Sequence, residues 1–115
     1  MFEVRGEVHA RTESGKIGVG KDIRVIADEV TAWKERKGHR LTPAMITGVF
    51  GKGIQTLVIG IGASGAIDCS AELIEFIRER GIGSVIVQRT PEACETYNRL
   101  CEQGIRVALL AHATC

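Results

Sequence analysis

Three short apolar runs, at residues 55–59, 85–87 and 105–111, alternate with two amphipathic stretches, and this alternation constrains the fold more than any other feature of the chain. The runs have the compact aliphatic character of buried strands. Between the first two, Leu73, Ile74, Phe76 and Ile77 recur at helical spacing before Gly81. Between the second and third, Thr90-Pro91 supplies a cap followed by a proline at the first helical position, and Ala93, Cys94, Tyr97, Leu100 and Cys101 form an apolar face that stops at Gly104. Each connection is long enough to bring the chain back to the same end of a sheet, so the segment predicts two right-handed crossovers and three parallel strands.

The first half has a different grammar. Residues 2–9, 22–27 and 30–33 read as short strands separated by turns near Ser14-Gly15-Lys16 and Asp28-Glu29, an antiparallel meander that completes or covers the parallel unit. Thr42-Pro43, followed by Met45, Ile46, Val49 and Phe50, predicts one short helix ended by Gly51 and Gly53. No repeat or linker divides the 115 residues, and a chain of this length buries roughly two thirds of its unfolded surface in one core, so residues 1–115 are expected to form a single domain.

Composition excludes several functions. Fifteen Lys and Arg against fourteen Asp and Glu leave a net charge of +1, which gives no global field for nucleic acid or anionic lipid. The one basic cluster, Trp33 to Arg40, reads as a solvated loop. Glu3, Arg5, Glu7 and His9 interrupt any signal-peptide core, and the most apolar stretch, residues 57–67, is below spanning length, so a cytoplasmic location without membrane contact is expected. The four cysteines form no CxxC pair, and Cys94 and Cys101 share a helix face in the manner of small buried hydrophobes. His112 and Cys115 form an H-x-x-C ending that reads as a tail in preference to a metal pair. No cofactor, metal set or catalytic relay emerges from the spacing of His, Cys and Ser.

One motif stands directly after a strand: Gly60-Ile61-Gly62-Ala63-Ser64-Gly65 fits G-x-G-x-x-G. A dinucleotide site is disfavoured, because the helix signal begins only near Ser70, Asp68 adds negative charge, and the second strand ends in Gln88-Arg89 without a ribose-binding carboxylate. Two readings remain. The glycines let the backbone turn sharply over the sheet, or they line a small-anion site where helix N-termini near Ser70 and Thr90 converge beside Arg89. The ligand-binding candidates are Gly60, Gly62, Ser64, Gly65, Arg89, Thr90 and, if it faces away from the Tyr97 stripe, Asn98.

The strand Leu57-Val58-Ile59, the glycine turn, the block Thr90-Pro91-Glu92-Ala93-Cys94 with Tyr97-Asn98, and the closing Arg106-Val107-Ala108 through His112-x-Thr114-Cys115 together resemble the Mth938-like family, a domain of unknown function, with the ending most similar to its archaeal branch. Asp22-Ile23, Trp33 and Gly38-His39 extend the resemblance over nearly the whole chain, and the polar, glycine-rich residues 11–21 depart from it. The resemblance implies a three-layer α/β fold around a mixed central sheet and no established reaction. Some eukaryotic relatives are linked to assembly of mitochondrial respiratory complex I, a role not carried over here because no targeting peptide is read at the N-terminus. Two functions follow as expectations. The first is a non-enzymatic binding or assembly module with a protein partner or a second copy of itself. The other is a small-molecule or anion-binding protein, or an enzyme, using the cleft at the carboxyl ends of the parallel strands.

Overall fold

The computed structural model describes residues 3–4, 7–8, 22–27, 29–62 and 64–112. Its centre is a five-stranded mixed sheet. In chain order the strands are β1 (Glu3–Val4), β2 (Glu7–Val8), β3 (Ile23–Ile26), β4 (Glu29–Ala32), β5 (Thr56–Gly60), β6 (Ser84–Gln88) and β7 (Val107–Ala111), with helices α1 (Ala71–Glu79) and α2 (Thr90–Glu102). The sheet order is β4-β3-β7-β5-β6. β5 is parallel to both β6 and β7, while β3 is antiparallel to β7 and to β4. The parallel unit predicted from the alternation is therefore present, with boundaries moved by one or two residues.

β5 and β7 are buried at every residue, as expected of central parallel strands covered on both faces. The period-2 alternation of the strands splits the core in two. On one face Leu57, Ile59, Ala108 and Leu110 pack with Leu73 and Ile77 of α1 and with Trp33, Leu41, Ile46, Val49 and Ile54. On the other, Val58, Val107, Leu109 and Ala111 pack with Ala93, Cys94 and Tyr97 of α2 and with Ile23 and Val25. Both crossovers are right-handed in expectation, but they run in opposite directions along the sheet, from β5 out to β6 and then back past β5 to β7. Opposite directions place the helices on opposite faces, which is what the two cores show.

The N-terminal meander is only partly present. Of the first predicted strand, residues 2–9, the described residues form the two-residue strands β1 and β2, which pair antiparallel with each other in a separate sheet, with β1 against α2. The turn near Ser14 lies outside the described residues. β3 and β4 form the predicted hairpin, with β4 starting at Glu29. The short helix expected after Thr42 is a single 3₁₀ turn, Pro43–Met45. Trp33 Nε1 donates to the Met45 carbonyl at 2.7 Å and takes an acceptor that a continuing helix needs, while Ile46 swings to an extended conformation and enters the core. Arg24 ties the same segment to β3 by donating to Thr47 Oγ1 at 2.7 Å and to Glu35 at 3.3 Å.

Helix ends follow local chemistry. Ser70 caps α1 by accepting from the Leu73 N–H at 3.1 Å. α2 ends in a Schellman arrangement: the Ile105 N–H reaches the Leu100 carbonyl and the Gly104 N–H reaches that of Cys101, with Gly104 at φ +78°. The start of α2 differs from expectation, since Arg89 occupies the cap position and Thr90 is already helical.

One backbone conformation is strained. Ala27, in the two-residue connection between Ile26 and Glu29, has φ +52° without being glycine. An L-residue there carries about 1–2 kcal/mol of steric strain, and glycine removes it while adding back about 0.4–1 kcal/mol of unfolded-chain entropy. Ala27→Gly is thus expected to raise stability by about 1 kcal/mol, read as a higher urea midpoint at unchanged slope; a lower midpoint contradicts the strain.

Candidate functional site

The chain leaves β5 toward the face of α1 and leaves β6 toward the face of α2. The carboxyl ends of these neighbouring strands therefore flank a topological switch point, where open α/β sheets form ligand crevices. The G-x-G-x-x-G segment stands in this position. Gly60 is the last residue of β5, and a Cβ placed on it would lie 2.9 Å from Thr90 Oγ1 and 3.3 Å from the Ala111 Cβ. Only a residue without a side chain lets β5, β7 and α2 approach this closely. Gly62 turns the chain at φ +97°.

What fills the crevice is the Thr90 side chain. Thr90 Oγ1 donates to the His112 carbonyl at 2.6 Å and accepts from the Gly62 N–H at 2.9 Å, while the Thr90 N–H donates to the Gly62 carbonyl at 3.1 Å. The His112 N–H donates to the Gly60 carbonyl at 2.9 Å, and the Ile61 N–H donates to that of Gln88 at 2.9 Å. Thr90 is 1% exposed, so its hydroxyl is a buried clamp joining the ends of β5 and β7 to the start of α2.

The other candidates are placed unevenly. Ser64 is exposed and Gly65 is half-buried. The exposed Arg89 lies against the turn, its Nε 3.5 Å from a Cβ built on Gly65. Gly60, Gly62, Ser64, Gly65, Arg89 and Thr90 are therefore brought together. Asn98 is not: it is half-buried eight residues along α2, about 12 Å from Thr90 by the helical rise. The expected convergence of two helix N-termini is also corrected. α1 and α2 begin on opposite faces of the sheet, and Ser70 borders a separate hollow of about 190 Å³ with Arg40, Leu41, Thr42, Pro43, Glu72 and Leu73.

A polar cluster absent from the sequence reading lies one step beyond the β3–β7 ladder. In the register that pairs Ile23 with Ala111, Asp22 comes opposite His112, and His112 Nδ1 donates to Asp22 Oδ1 at 2.7 Å. Arg36 Nε pairs with the other carboxylate oxygen, and Arg36 Nη1 donates to the Gly38 carbonyl. His112 is thus a buried element of the sheet end, not a tail, while Cys115, its supposed partner, lies outside the described residues. Nε2 of the same ring is buried without a hydrogen-bond partner among the described residues. The signal for this pair was non-local, since 90 residues separate its members.

Neither of the more buried thiols is poised for chemistry. Burial, with a smaller contribution from Glu95, pushes the Cys94 thiol up to about 12, and burial beside Asp68 pushes Cys69 up to about 11. Both stay protonated at neutral pH, as expected of cysteines that pack as small hydrophobes. Trp33, the aromatic of the basic cluster, is buried in the core and offers no stacking face.

The Thr90 clamp has a direct test. Thr90→Val keeps the shape and removes both hydroxyl interactions, leaving the Gly62 N–H and the His112 carbonyl with one partner fewer. The expected loss is about 2–4 kcal/mol of unfolding free energy, with a smaller loss in Thr90→Ser. A Thr90→Val variant as stable as the parent, by chemical denaturation, overturns the clamp.

Solved structures share this architecture. An outer membrane protein from Bartonella henselae superimposes with a TM-score of 0.69 at 26% identity, covering 83% of this chain and 80% of that one. The conserved hypothetical protein PH1505 from Pyrococcus horikoshii OT3 gives 0.67 at 20% identity, with 83% and 84% covered. The protein MT938 gives 0.66 at 23% identity, with 83% and 82% covered. No helix among the described residues is long and apolar enough to cross a membrane. Residues 2–112 match the family described as a protein of unknown function, DUF498/DUF598. With the MT938 likeness, this places the chain in that family, the Mth938-like proteins.

Proposed function

We propose that the chain is a cytoplasmic, non-enzymatic binding or assembly module whose first partner is a second copy of itself, joined through the free edge of β6. The observation that carries this reading is the edge itself. Among the described residues β6 is the last strand in the sheet order, and Ser84-Val85-Ile86-Val87-Gln88 contains no charge and no proline. Proteins ordinarily blunt such edges with lysine, proline or a bulge, because unpaired N–H and C=O groups template further strands. The opposite edge, β4, begins with Glu29 and is blunted in this sense. Val85, Ile86 and Val87 are only half-buried, so pairing would cover apolar surface on both faces.

Antiparallel pairing of β6 with its own copy about a twofold axis through Ile86 is self-complementary, as a closed dimer requires. Ser84 then lies opposite Gln88 of the second copy. The parent chain is expected to elute at twice its 12.4 kDa mass by light scattering. The double variant Ser84→Lys, Gln88→Lys sets like charges opposite each other across the axis and is expected to be monomeric and folded. A monomeric parent chain, or a dimer that survives the double variant, contradicts the β6 interface.

A second reading, a small-anion site at the glycine turn, is favoured by one observation. The Arg89 guanidinium lies against Gly65, is exposed, and has no hydrogen-bond partner among the described residues. The Gly62, Gly65 and Thr90 N–H groups are already committed, so the Arg89 guanidinium would hold the anion at this turn. Phosphate is expected to shift the amide resonances of Ser64, Gly65 and Arg89 in a saturable, salt-sensitive manner, with the shifts weakened in Arg89→Ala. Shifts that are absent, or equal in the variant, leave the turn a purely structural element.

A further inference from the structure

A cleft bordered by described residues lies at the other end of the sheet, where the parallel strands begin. It holds about 340 Å³, within the range of small-molecule sites. Its walls come from both cores. Ile26 and Ile54 belong to the face of α1, and Val107 and Cys101 to the face of α2, so the cleft opens where the two layers part around the sheet end. Lys52 and Arg106 complete the lining.

We propose that this cleft binds a carboxylate carried on a short aliphatic tail. Three observations converge on that chemistry. The first is the pairing of an apolar interior with two cations, because a tail fills the former and an anion neutralises the latter. Next, neither Lys52 nor Arg106 has a carboxylate partner among the described residues. Arg106 Nη1 donates only to the Lys52 carbonyl, at 3.4 Å, and lies so close over Gly53 that a Cβ there would collide with it. That contact holds the guanidinium beside the cleft, and Lys52 lines the same cleft, so an anion there would meet two cationic residues. Finally, the strained Ala27 also lines the cleft, and backbone strain of this kind collects at ligand sites.

Two carbonyls at the nearby end of α2 are not free acceptors. Those of Leu100 and Cys101 are taken by the N–H groups of Ile105 and Gly104. With a net charge of +1, attraction would come from these two side chains and not from the whole molecule.

Octanoate is the probe, with octanol and acetate as controls for tail and charge alone. Titration followed by amide resonances is expected to give saturable shifts at Ile54, Cys101 and Arg106 with octanoate, and at least tenfold weaker binding of each control. Lys52→Gln and Arg106→Gln should each weaken octanoate about tenfold, the loss of one charge-assisted contact. Lys52 makes no side-chain hydrogen bond or ion pair among the described residues, so its variant keeps the test open if Arg106→Gln destabilises the chain. Alkylation of Cys101, followed by peptide mass, should slow in the presence of octanoate. Octanol binding as tightly as octanoate, unchanged affinity in Lys52→Gln, or shifts confined to other residues overturns the proposal.

Discussion

The Thr90 hydroxyl is the interaction on which the architecture turns. A parallel sheet needs long connections, and a bond between the chain segments that leave its central strands ties those strands together beyond their ladder. Here one oxygen accepts from the N–H that follows β5 and donates to the carbonyl that follows β7, while its own residue begins α2. Both partner groups are backbone atoms removed from water, where an unmet hydrogen bond costs about 1–3 kcal/mol. The glycines of the turn are the complement of this clamp. Gly60 makes room for the threonine, and Gly62 aims its N–H at the oxygen.

The clamp also sets the registry of a row that crosses the sheet. Because His112 is fixed through its own N–H and carbonyl, its imidazole is delivered opposite Asp22, and Asp22 is in turn paired to Trp33 through the backbone. Arg36 closes the row from the loop that follows β4. A carboxylate placed between an imidazole and a guanidinium compensates the desolvation of all three, whereas removal of any one leaves a buried polar group without its counterpart. The row therefore joins the antiparallel hairpin to the parallel unit by more than ladder hydrogen bonds.

Most of the fold was legible because its signals are local. The apolar runs of β5, β6 and β7, the Ser70 cap and the Gly104 stop each depend on a few adjacent residues, and each appears where the pattern puts it. Failures occurred where a distant group outcompeted a local preference. Thr42-Pro43 begins a helix by its own chemistry, but the Trp33 indole takes the carbonyl that would have extended it. Thr90 resembles a cap, but a buried carbonyl 22 residues away claims its hydroxyl. The Asp22–His112 pair is invisible without the register of β3 against β7. Six of the seven residues named for the turn lie together there, but the group at its centre is a side chain of the protein, that of Thr90.

The two ends of the sheet consequently have different physical characters. At the carboxyl end, where open α/β folds usually receive ligands, the Thr90 hydroxyl ties the Gly62 N–H to the His112 carbonyl. At the amino end the chain keeps an L-residue in a left-handed conformation and two cations without carboxylate partners among the described residues, beside a cavity with aliphatic walls. None of these features adds to the stability of the free chain, whereas the proposed amphipathic anion would neutralise the cations and fill the cavity, and a ligand that binds only the folded state stabilises it by mass action. Stability is concentrated at one end of this sheet, and the capacity to gain stability from a ligand at the other.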